Sequence, residues 1–174
     1  MRTRIIGLFA LCLLSVILLT SCGIYPNKKP EVIPPPPLLV NNVTVDIPDW
    51  VPVNDYNGKV VLAITFSTQF NTSALTAPGT VDIDLKGLHD GRTALNVAGT
   101  FRIKPGSNPI NYPITVVFIS NQSLTELINP KAGENIEYSI TISETLKSIS
   151  GNLLDGDVDG HPGGNYRLVF EVVT

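Results

Sequence analysis

The feature that most limits how this chain can fold is a period of two in its apolar residues, repeated between turn signals. Val81, Ile83 and Leu85 alternate with Asp82, Asp84 and Lys86. Ile136, Tyr138, Ile140 and Ile142 alternate with Glu137, Ser139, Thr141 and Ser143. Tyr166, Leu168, Phe170 and Val172 alternate with Arg167, Val169, Glu171 and Val173. Successive side chains of a strand point to opposite faces, so each run predicts a strand with one buried and one wetter face. Leu95, Val97, Phe101 and Ile103 read the same way as one strand, with Gly99 as a bulge or close approach. Lys59 to Ser67 and Ile114 to Ile119 are apolar on both faces for much of their length, as central strands are. Val43 to Ile47 predicts a first strand, closed off by Pro48.

Pro78-Gly79, His89-Asp90-Gly91, Pro105-Gly106, Lys131-Ala132-Gly133 and the glycine-rich loop at 155–164 separate these runs. The helical signals are brief: Ser123 to Ile128, with Ser123 and Glu126 in capping-box spacing, and Ser143 to Ile149. About seven short strands with no long amphipathic helix predict an all-β fold, an antiparallel sandwich over residues 43–174. A domain of that size buries about two-thirds of its unfolded surface, enough for a core that stands alone.

The other informative region is the start of the chain. Arg2 and Arg4 precede an apolar run from Ile5 to Leu19, interrupted only by Gly7 and Ser15. That run suits a signal h-region and falls short of the ~20 residues that cross a bilayer as a helix. It ends in Leu19-Thr20-Ser21-Cys22, which resembles the lipobox of bacterial lipoproteins. The resemblance implies that residues 1–21 are a signal peptide cut ahead of Cys22, whose thiol takes the lipid. It also implies a membrane anchor in the cell envelope. Gly23 stands where some lipoproteins carry the aspartate that retains them at the inner membrane, which points to the outer membrane. Residues 22–42 contain Pro26, Pro30 and the run Pro34 to Pro37, so they predict an extended tether. Twenty polyproline-like residues would reach roughly 60 Å.

Loss of Arg2 and Arg4 leaves ten basic residues against fifteen acidic, a formal charge of −5. That balance argues against nucleic acid and against attraction to anionic headgroups. Cys12 leaves with the signal and Cys22 is lipidated, so the mature domain has no disulfide and no cysteine nucleophile.

Within the domain, the segment Lys59 to Leu75 resembles the opening of bacterial Ig-like domains of surface and S-layer proteins, with their "I-x-F-S" strand and asparagine-capped turn. Tyr138 to Asp155 resembles their "Y-x-V-x-V … D-x-x-G-N-x-L" ending, and Asn165 to Val173 their closing strand. Ser148 departs from the pattern, standing where the family often has aspartate before the Gly-Asn turn. The resemblance implies an Ig-like sandwich with a structural or binding role and no chemistry of its own.

Three constellations bear on function. Asp155-Gly156-Asp157-Val158-Asp159-Gly160 matches the first half of an EF-hand calcium loop, where alternate carboxylates wrap a hard cation and glycine permits the sharp turn. The twelfth position is Tyr166 instead of glutamate, so the backbone carbonyl of His161 or oxygens of another loop would have to complete the shell. The competing reading is a long turn in which aspartate and glycine serve local hydrogen bonds and positive φ. Trp50 and Tyr56, among Pro48 and Pro52, either anchor a protein or glycan partner or plug the end of the sandwich. Glu144 and Glu171 read as surface charges, and no nucleophile elbow, zinc motif or phosphate loop is present. The expectation is therefore a non-enzymatic, lipid-anchored binding or spacer module, with structural Ca²⁺ as its one candidate cofactor. An accessory subunit of an envelope assembly and a carbohydrate-binding module are the alternatives.

Overall fold

The computed structural model describes residues 36–45, 49–103 and 114–174. The signal segment, Cys22, Pro48 and the Pro105-Gly106 turn lie outside them. The alternating runs form two four-stranded sheets, antiparallel throughout. In spatial order the first holds β1 (Val40–Thr44), β2 (Lys59–Phe66), β6 (Ile114–Ser123) and β5 (Gly99–Ile103). The second holds β4 (Thr93–Ala94), β3 (Val81–Gly87), β7 (Asn135–Ile142) and β8 (Tyr166–Val173). Their inner faces close on one core, in which Leu62, Ile64, Phe66, Val116 and Phe118 meet Ile83, Leu85, Ile136, Ile140 and Ile142. The antiparallel β-sandwich expected from the alternation is the fold.

It has eight strands because residues 93–103 do not run as one. Thr93–Ala94 pairs with β3, while Gly99–Ile103 pairs with β6, so the chain changes sheets in between. Asn96 makes the turn at φ 50°, and Val97 N–H donates to the carbonyl of Ile83 at 2.8 Å. A period of two cannot reveal such a switch, since both pieces keep alternating. Gly99 is a close approach: a Cβ there would lie 2.3 Å from the Phe118 ring and 2.5 Å from the Ile119 carbonyl.

The sandwich also begins earlier than the proline content suggests. Leu38 is fully buried and bridges Leu154, and β1 starts at Val40, inside the segment read as tether. The prolines end at Pro37, and the Leu38-Leu39-Val40 that follows is apolar enough to join the core.

Of the two helical signals, only one forms a helix. Leu124–Leu127 is a single turn, α2, with the full capping box: Glu126 N–H donates to Ser123 Oγ and Ser123 N–H donates to Glu126 Oε2 at 2.7 Å. That donor holds the Glu126 carboxyl below its usual range. Ser143 to Ile149 instead forms turns, with Leu146 buried and bridges from Lys147 to Leu153 and Ser148 to Phe70. Ser148 supplies the turn's capping bond without aspartate, its Oγ accepting from Asn152 N–H at 3.1 Å.

Candidate functional site

The acidic loop leaves the core at Leu154, which is wholly buried. Asp155 bridges Gly163, so the two ends of the loop lie side by side. Gly156 permits this, because a Cβ there would meet Tyr166 N at 2.2 Å. Across the loop, the Asp155 carboxylate accepts from Asp159 N–H at 3.2 Å and from Gly160 N–H at 3.0 Å. Asp159 Oδ1 in turn accepts from His161 N–H at 2.8 Å. Glu144 accepts from Gly164 N–H and donates its own N–H to Asn165 Oδ1, both at 2.9 Å, tying the loop to the 143–149 turns.

Asp155, Asp157 and Asp159 each bring one carboxylate oxygen within 4.8 Å of the others. Asp155 is 1% exposed, while Asp157 and Asp159 face solvent. The fold therefore gathers the three side chains that the spacing singled out. It also realises the competing reading, because Asp155 braces the loop's own backbone. His161 is exposed and meets the cluster through its N–H. Tyr166, at the twelfth position, begins β8 with its ring packed toward the core, and that burial raises its pKa.

Trp50 and Tyr56 do not plug the end of the sandwich. They lie half-buried on the outer face of the first sheet, with Val51 against Val61, Ala63, Val117 and Ile119. One helical turn, α1 (Val53–Tyr56), follows Trp50 and carries Tyr56, and an ion pair from Asp55 to Arg102 of β5 fastens it. The reason lies in β2 and β6, whose outward residues are apolar and need a cover. Glu144 is an exposed loop brace, and Glu171 faces outward on β8.

Glu134 escaped the sequence reading. It is buried, and its carboxylate accepts from Lys131 N–H at 2.8 Å and His89 N–H at 3.2 Å, with Arg92 Nη2 at 3.8 Å. It thus joins the β3–β4 turn to the turn before β7. Its only sequence signal is a position just after the Lys-Ala-Gly turn, which many surface glutamates share. No helix among the described residues is long and apolar enough to cross a membrane. The chain matches no family model, and no curated protein or solved structure matches it at a significant level.

Proposed function

We propose that the protein is a lipid-anchored, Ig-like cell-envelope module that acts by binding or spacing rather than by chemistry. The observation that carries the reading is where the sandwich starts. Leu38 is locked against Leu154, and the Asn152 side-chain amide donates to the Pro36 carbonyl at 2.9 Å. The folded part therefore takes in Pro36 and Leu38, and the proposed tether would be confined to the residues ahead of them. One acyl chain gives marginal retention and two or more hold a protein stably. Expressed in a bacterium supplied with labelled palmitate, the wild-type chain should take up label and partition into detergent. Cys22→Ser should lose both. Label retained by Cys22→Ser would sink the anchor.

The convergence of Asp155, Asp157 and Asp159 favours a second element, a Ca²⁺ that rigidifies the loop. Melting in calcium and in chelator should separate it from a self-braced turn. Calcium at a hundredfold over its dissociation constant should add about 2.7 kcal/mol, and Asp157→Asn should abolish the gain. Coincident melts would leave a turn and no ion.

A further inference from the structure

Among the described residues, the second sheet ends in a strand whose far side has no partner. β8 is eight residues long, pairs among the described strands with β7 alone, and contains neither proline nor lysine. The other three sheet edges are blunted. β4 has two residues, β1 is broken by a register shift after Val40, and β5 is five residues long, beginning at Gly99. Long, regular, uncovered edges are what folded proteins ordinarily avoid, because they template pairing with another chain.

The hydrogen-bond phase shows which groups β8 offers. Thr174 N–H donates to the Glu134 carbonyl, while Leu88 N–H donates to the Asn135 carbonyl and Ser143 N–H to that of Thr80. Even-numbered residues of β7 therefore bond to β8 and odd-numbered ones to β3. By the same alternation, the backbone groups of Arg167, Val169 and Glu171 point away from β7 to the open side. Their side chains lie on the exposed outer face, with Val169 58% exposed.

We propose that β8 is a homodimerisation edge, two copies pairing antiparallel about a two-fold axis at Val169. That register places Arg167 opposite Glu171 of the partner copy, twice, with Val169 against Val169 between them. On the inner face it sets Leu168 against Phe170 and Tyr166 against Val172, covering side chains that one copy leaves half-buried. Val169 and the two Arg167/Glu171 pairs are the residues whose backbone groups face outward, so they form the hydrogen-bonded pairs, about six bonds in all. The strand is thus complementary to itself in charge, shape and hydrogen-bond phase. Within one copy those charges are poorly served. Glu171 stands opposite Glu137 of β7, softened by the Asn135 amide at 3.1 Å, and Arg167 stands opposite Thr141 with no ion pair among the described residues. The union would join the second sheets of two copies into one of eight strands.

Sedimentation equilibrium of the full chain in density-matched detergent, over a concentration series, tests this. The wild type should dimerise reversibly. Arg167→Glu and Glu171→Arg alone should each raise the dissociation constant about tenfold or more, because two attractive cross-strand pairs become repulsive. The two single variants mixed together should dimerise again, and so should the double exchange. Glu171→Arg places a cation opposite Glu137, so its loss of dimer would not come from unfolding. A wild type that stays monomeric at its highest soluble concentration overturns the proposal. So does a dimer indifferent to both reversals, which would rest on another surface, or single variants that fail to rescue each other.

Discussion

The two sheets share a core and part company on their outer faces. On the first, Val61, Ala63, Val117 and Ile119 point away from the core yet are buried, because residues 49–56 lie over them. On the second, the equivalent positions are Asp82, Asp84 and Lys86 of β3, Glu137, Ser139 and Thr141 of β7, and Arg167 and Glu171 of β8. No described segment covers those. Among the described residues, one sheet is therefore a middle layer and the other an outer wall, and the wall alone shows an uncovered face and a long uncovered edge. An antiparallel sheet tolerates water on one side when its strands alternate cleanly, whereas strands apolar on both faces must be sandwiched.

The largest effect expected from this contrast is on stability. Ile119→Ala, on the outer face of the first sheet, should cost about 2–5 kcal/mol in urea unfolding, as a core truncation does. Thr141→Ala, at an equivalent position on the second sheet, should stay within about 0.5 kcal/mol of wild type. An Ile119→Ala cost as small as that of Thr141→Ala would mean the 49–56 cover is loose, and the contrast would fail. Glu134→Ala should fall between them. It strips acceptors from two buried-side backbone donors at one end of the second sheet, a loss of about 1–3 kcal/mol. A neutral result would show that water replaces the carboxylate there.

Much of this contrast was legible beforehand. Clean alternation marked β3, β7 and β8 as one-sided, and the doubly apolar runs marked β2 and β6 as central. The capping box of α2 was readable because both of its partners are local. What stayed hidden depends on long-range placement. That Trp50 covers a sheet face rather than an end is decided by which strands become neighbours. Glu134 becomes a brace only once residues 87–92 are folded beside it. The sheet switch at 95–98 preserves the very periodicity used to find strands. The Asp-x-Asp-x-Asp spacing was visible and its convergence followed, yet Asp155 serves backbone donors as readily as it would a cation. Leu38 was masked by its neighbours, since four prolines ahead of it describe a tether more loudly than one leucine describes a core.

The smallest effect concerns pH, and it belongs to the inner side of the open sheet. Tyr138 of β7 is buried and stacks on Phe170 of β8, ring centroids 5.3 Å apart and planes 8° from parallel. Burial disfavours the phenolate and raises its pKa above the ordinary value. A folded-state pKa above the unfolded one contributes stability that is fully present below the unfolded value, about 10, and is lost as pH rises through the folded one. The melting midpoint should thus hold through neutral pH and fall on the alkaline side. Tyr138→Phe keeps the stacked ring and removes the titrating group, so it should flatten that fall while leaving the neutral midpoint nearly unchanged. An unaltered alkaline limb in Tyr138→Phe would assign the fall to other groups, Tyr166 first, since burial raises its pKa as well.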